Sequence, residues 1–190
     1  MLDTATPLQP VNDPALWTKE QMAKTPDWLH VLGEDDIAEL DSLVERLDSE
    51  IDDILDITRS RAAIARLALT LAAIRDELLN GRGFAVIRGV PVERYTRRQA
   101  AIAFWCLGLH IGVPVSQNAL GHLLGHVTDL GDTSLDNPQN RGYQTHDALP
   151  FHSDFTDIVG LLCLHPAKSG GESLVTSSVA IHNEMLRRDP

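Results

Sequence analysis

Two cysteines, Cys106 and Cys163, are all that the 190 residues contain. Two cannot build a disulfide framework, and each sits in an apolar run, "AFWCLGL" and "GLLCLHP". Both therefore read as buried free thiols suited to a reducing compartment. Basic residues are also scarce: 16 Lys and Arg face 27 Asp and Glu, for a net charge of -11. That balance disfavours non-specific binding to nucleic acid or to an anionic membrane. The densest basic group, Arg94, Arg97 and Arg98, reads as a solvated helix start. No window approaches the roughly 18 apolar residues of a membrane span. The opening "MLDTATPLQPVNDP" has neither the basic start nor the apolar stretch of a secretion signal. The expected location is the cytoplasm. Motif absences narrow the chemistry further. There is no G-x-S-x-G nucleophile turn, no G-x-G-x-x-G fingerprint and no Walker loop. Nor are there repeats or low-complexity segments.

What is present suits a globular domain, with 43% hydrophobic and 23% charged residues. Residues 1–33 read as an irregular arm that packs at Trp17 and Trp28. From Asp35 to Asp56 a helical stripe runs through Ile37, Leu40, Leu43, Val44, Leu47, Ile51, Ile54 and Leu55. Residues 34–56 also hold 11 of the 27 acids and one base, Arg46. They form either an acidic docking surface or a solvated helix face.

A second helix is expected from about Ser60 to Leu79, stopped by Asn80–Gly81. "GFAVIRGVPV" reads as a strand buried on both faces, ended by Gly89 and Pro91. Thr96 and Gln99 form a capping box for a third helix, closed by Gly112 and Pro114. "LLGHVTDLG", "GLLCLHP" and the segment after "GGES" read as strands. "SVAIHNEMLRRD" reads as a helix start with Ser178 as its cap. Helices first and strands second indicate an α+β fold. The strands alone make one sheet whose other face still needs a cover.

His152 and Asp154 carry the chemistry. Eight histidines and 18 aspartates give about 0.8 chance H-x-D matches, so the bare pair is weak. In an extended segment, however, residues i and i+2 point to the same side, and both could reach one ion. An imidazole and a carboxylate are two parts of a 2-His-1-carboxylate triad on Fe(II). The plainer alternative is a turn-capping aspartate beside a histidine bonded to local backbone. His182 and Glu184 have the same spacing on helical pattern, where they diverge by about 200° and cannot chelate. His122 and His126 lack the glutamate of H-E-x-x-H. His110 and His165 read as structural or surface residues.

"FHSDFTDIVGLLCLHPAKSGGESLVTSS" resembles the taurine dioxygenase (TauD/TfdA-like) family of Fe(II)- and 2-oxoglutarate-dependent oxygenases. Members carry H-x-[DE] ahead of a strand and a G-G-x-[ST] turn about 20 residues later; here the turn's Ser173 follows His152 by 21 residues. The resemblance extends over about residues 80–190. It divides the chain into an N-terminal arm with helices, 1–80, and the N-terminal part of an oxygenase domain, 81–190. It implies a double-stranded β-helix, or jelly roll of the clavaminate-synthase-like type, incomplete here and preceded by N-terminal helices.

By position, His152 and Asp154 match the first two iron ligands. Ser173 matches the hydroxyl residue that helps hold 2-oxoglutarate, where the family more often has Thr. Gln117, Asn118, Thr145 and His146 lie where members often contact substrate, and Asn118 and His146 are the candidates carried forward. The family's second histidine and a following arginine come far downstream, yet only 36 residues follow Asp154. Neither His165 nor His182 replaces that histidine.

The expected activity is hydroxylation of a small organic acid or amino-acid-like substrate by O₂, Fe(II) and 2-oxoglutarate. The chain would then be a fragment lacking the distal His and Arg. The alternative is a non-catalytic binding or assembly protein derived from an oxygenase fold. An unclosed jelly roll would expose apolar surface and favour a homo-oligomer. No nucleic-acid or membrane partner is expected.

Overall fold

A computed structural model describes residues 8–118, 120–129, 131, 142, 145 and 147–189. The chain divides into two compact units, one of residues 1–111 and 162–190, the other of 112–161. The first unit is built on three helices: α2 (Glu34–Glu50), α3 (Arg66–Asn80) and α4 (Arg97–Ile111). The short helix α1 (Lys19–Lys24) and strand β1 (Leu29–Val31) precede them. Strand β2 (Val86–Arg88) lies between α3 and α4, and α5 (Ser178–Arg188) is the last element.

Helical periodicity decides the core. α2 buries Leu40, Leu43, Val44 and Leu47, and α3 buries Leu67, Leu71 and Ile74. These are i, i+3, i+4, i+7 stripes, each facing one side of its helix. α4 is apolar on more of its circumference and buries Ala100, Ile102, Ala103, Trp105, Cys106 and Leu107. It packs on both α2 and α3, which also meet each other.

The acidic face of α2 is neither a free docking surface nor simply solvated. Its carboxylates turn to the bases of the neighbouring elements. Asp36 accepts from Arg66 Nε at 2.7 Å, and Asp48 accepts from Arg98 Nε at 2.9 Å. Asp41 takes Arg94 at 3.0 Å and the Tyr95 hydroxyl at 2.6 Å. Two of the three arginines read as a solvated group thus bind α2. Glu39 reaches the start of α3, where Oε1 accepts the N–H groups of Ala65 (2.6 Å) and Arg66 (3.0 Å), and Oε2 that of Leu67 (2.8 Å). The helix expected from Ser60 begins at Arg66 because this carboxylate caps it from another helix.

The first acidic helix likewise ends at Glu50 instead of Asp56. Ile51 is extended, and a 3₁₀ turn of Ile54–Asp56 follows. Acids crowded near a helix C-terminus oppose its dipole. The Arg98 guanidinium takes up the carbonyls released there, those of Ile51 and Asp52. Trp105 Nε1 donates to the Ile57 carbonyl at 3.1 Å, and His110 Nε2 hydrogen-bonds that of Ala62 at 2.8 Å. His110 is therefore a buried structural histidine.

The tryptophans do anchor the N-terminal arm. Trp17 and Trp28 pack at a tilt against Phe84, at 5.0 and 5.8 Å between ring centroids. The arm is not irregular throughout, since β1 pairs in parallel with β2, His30 opposite Ile87. β2 is not buried on both faces, because Val86 is 41% exposed and Arg88 is exposed. Two strands alone leave an edge and a face uncovered. The Thr96–Gln99 capping box forms with both bonds in place, at 3.0 and 3.2 Å. α5 is capped by Ser177, one residue before the expected Ser178.

The expected strands in "LLGHVTDLG", "GLLCLHP" and after "GGES" are not found among the described residues between 112 and 177. Apolar content makes a segment fit for a sheet, but a strand also needs a neighbour to accept its ladder. The fold is α+β, and among the described residues its sheet is the two-stranded parallel pair. The second cysteine reading is corrected for the same reason: Cys106 is buried, whereas Cys163, in one of these unpaired segments, is exposed.

Candidate functional site

His152 and Asp154 converge in the second unit. His152 Nε2 lies 3.6 Å from Asp154 Oδ1, and both side chains are about half exposed. His152 Nδ1 is 2.9 Å from the Pro150 carbonyl. A carbonyl can only accept, so Nδ1 is the donor and Nε2 is the ring nitrogen left to a ligand. That is the tautomer and orientation of a metal-ligating imidazole held by a backbone acceptor. Nε2 is the ring nitrogen that approaches the Asp154 carboxylate. One nitrogen and one carboxylate oxygen suit a divalent metal such as Fe(II). Among the described residues no third His, Cys, Asp or Glu joins them to make a group of three.

The Gly170–Gly171 turn of "GGES" lies in the first unit. Both glycines take positive φ, 71° and 77°, which any side chain would resist. A Cβ on Gly171 would also meet Ala167 Cβ at 3.1 Å. The turn delivers Ser173 into an exposed segment that runs into the buried Ser177.

Asn118 is engaged within its own loop. Its Oδ1 accepts from the N–H of Leu120 (3.0 Å) and of His122 (3.3 Å), and Nδ2 meets His122 Nδ1 at 3.0 Å. It organises a turn, and His122 is oriented by it, with Nδ1 as the acceptor. His146 lies outside the described residues. His182 is on α5 with Nε2 3.4 Å from the Gln9 carbonyl, and Glu184 is held by Arg187 and Arg188 at 2.7–2.8 Å. Those two arginines pull the Glu184 carboxyl down to about 2. His182 and Glu184 are thus engaged apart from each other, as their helical spacing requires. The Pro150 carbonyl is the local backbone partner that the plainer alternative expects for His152, and it is equally the acceptor that a ligating imidazole uses on its other nitrogen.

The profile described as "Taurine catabolism dioxygenase TauD, TfdA family" matches residues 52–190, and the chain belongs to that family. FR-33289 synthase of Streptomyces rubellomurinus (strain ATCC 31215) is 35% identical over 182 residues, covering 96% of this chain and 54% of its own length. The taurine hydroxylase-like protein SAT17 of Stachybotrys chartarum (strain CBS 109288 / IBT 7711) is 29% identical over 187 residues, covering 95% of this chain and 48% of its own. The chain spans about half the length of these curated relatives. Among the described residues, no helix is long and apolar enough to cross a membrane.

Proposed function

We propose that the whole protein is a cytoplasmic Fe(II)- and 2-oxoglutarate-dependent dioxygenase that hydroxylates a small organic acid or amino-acid-like substrate. These residues supply the first part of its jelly roll, with the oxygenase domain running from about residue 81. The observation that carries the reading is the His152–Asp154 pair, 3.6 Å apart with the imidazole tautomer set by Pro150, in a chain of the TauD/TfdA family.

His152 and Asp154 would hold the iron, which when bound supplies the site for O₂ activation. The Pro150 carbonyl engages Nδ1 and leaves Nε2 as the nitrogen that would bind the metal. Asp154 adds a negative charge that offsets the cation. Ser173 would donate its hydroxyl to a 2-oxoglutarate carboxylate, and Asn118 and His146 would contact substrate. The distal histidine and arginine would come from the portion of the relatives that this chain does not span.

Fe(II) binding, measured anaerobically by calorimetry, tests the pair: His152→Ala should abolish it, and equal binding by both proteins overturns the assignment. Turnover of 2-oxoglutarate to succinate tests the activity. Reading the coding frame past codon 190 tests the remainder. A His followed shortly by an Arg supports the enzyme, and a stop codon rules it out for the isolated chain.

The exposure of Phe151 (67%), Leu161 (73%), Leu174 (73%) and Met185 (65%) favours a second reading, a binding or assembly protein derived from the oxygenase fold. In that case both proteins would leave Fe(II) unbound and the chain would self-associate.

A further inference from the structure

Helix α5 has no buried residue and only 11 residues, fewer than the ~12–15 at which an isolated helix becomes marginal in water. Something outside it must hold it. Among the described residues, its long-range hydrogen bonds and those of its cap all end on residues 9–15. Asn183 grips both backbone groups of Val11: Oδ1 accepts the Val11 N–H and Nδ2 donates to the Val11 carbonyl, each at 2.8 Å. This is the pairing a neighbouring strand would offer, made by one amide side chain. His182 Nε2 reaches the Gln9 carbonyl at 3.4 Å, and the Ser177 hydroxyl donates to the Ala15 carbonyl. Ser177 is 5% exposed and also caps α5 through the Ala180 N–H. The arm is tied down beyond these contacts, since Trp17 Nε1 donates to the Arg82 carbonyl at 2.9 Å and its ring packs on Phe84. Val179, Ala180, His182, Asn183, Glu184 and Leu186 of α5 are half-buried, while Ile181 and Met185 are exposed.

We propose that residues 9–15 form a strap with Asn183 as its buckle, which orders α5 and, through Ser177, positions the Ser173 turn joined to it. Asn183 is a positioning residue. The part that concerns Ser173 rests on the 2-oxoglutarate reading above; the part that concerns α5 does not.

Hydrogen exchange on the full chain, followed by mass spectrometry, separates them. Asn183→Ala should speed exchange across residues 178–188 by at least about tenfold, from loss of two hydrogen bonds, while α2–α4 stay protected. Alanine is the better helix former, so a faster α5 cannot come from intrinsic propensity. Val11→Pro removes the N–H that donates to Asn183 and leaves the sequence of α5 intact. It should give a smaller increase in the same residues. Unchanged exchange at 178–188 in both variants overturns the strap.

The affinity for 2-oxoglutarate, measured by calorimetry in the presence of Fe(II), decides the second part. A several-fold weaker affinity in both variants supports positioning of Ser173. An affinity equal to wild type, with α5 loosened, overturns it. If wild type itself binds no 2-oxoglutarate, the Ser173 reading falls while the exchange result still decides the strap.

Discussion

Replacing Glu39 by alanine should destabilise the helical unit by about 2 kcal/mol. The carboxylate accepts three backbone N–H groups at the start of α3, at 2.6–3.0 Å. Losing a capping side chain costs about 0.5–2 kcal/mol, and hydrogen bonds to a charged group are worth about 1.5–3 kcal/mol. Water can replace the carboxylate at Ala65 and Arg66, which are not buried, but hardly at Leu67, which is 0% exposed. The figure therefore lies between a single cap and the full set. For a chain of this size it corresponds to a melting midpoint lower by roughly 4–8 °C. Because alanine is intrinsically the better helix former, α2 gains slightly, and any loss must come from α3. Glu39→Gln should lose about half as much: Oε1 is kept, but the amide turns a donor toward the Leu67 N–H.

The pH dependence provides a second check. Burial pushes the Glu39 carboxyl up, but the N–H groups of Leu67, Arg66 and Ala65 pull it down further, so it ends below its ordinary value of 4.5. Its contribution is full above pH ~4.5 and is lost as pH falls through the lowered folded-state value. The alanine variant should therefore approach wild type on acidification below pH 4.5. Thermal unfolding followed by circular dichroism at pH 7 and on the acid limb measures both effects. An unchanged midpoint at pH 7, or a gap that widens in acid, refutes the capping argument.

The two thiols should react very differently. Desolvation pushes the Cys106 thiol up to about 12, and Cys163 is exposed. Iodoacetamide at neutral pH should therefore label Cys163 in the folded protein and Cys106 only after denaturation, as peptide mass spectrometry would show; equal labelling contradicts the burial of α4. Leu67 is fully buried at the start of α3, so Leu67→Ala should cost about 2–5 kcal/mol. Urea unfolding measures this, and a loss below about 1 kcal/mol, well under that range, shows that α3 is not packed as described.

The helices were legible because their apolar residues repeat at 3–4 residue spacing. Leu40–Leu43–Val44–Leu47 reads as a buried stripe from its spacing alone. The start of α3 was not, because its cap is a side chain 26 residues earlier in the chain. The reach of Glu39 depends on how α2 packs, which local pattern does not encode. The apolar runs around Cys163 and Val127 misled for a related reason, since composition states what a segment could bury and not whether a partner strand exists. At the candidate site, the H-x-D spacing singled out His152 and Asp154. The orientation of the imidazole depends on the Pro150 carbonyl, a group every residue carries. Asn118 was legible as polar and loop-borne, but its side chain closes its own turn.

The family match begins at residue 52, just after α2 ends. α2 nonetheless contributes Leu40, Leu43, Val44 and Leu47 to the core, caps α3 through Glu39 and meets α4 at Asp48. A gene rearrangement joining a foreign leader at residue 52 would leave α3 and α4 with a bare apolar seam and an open helix start. The two relatives nonetheless align over 182 and 187 residues, so α2 descends together with the helices it completes, although the family model starts after it.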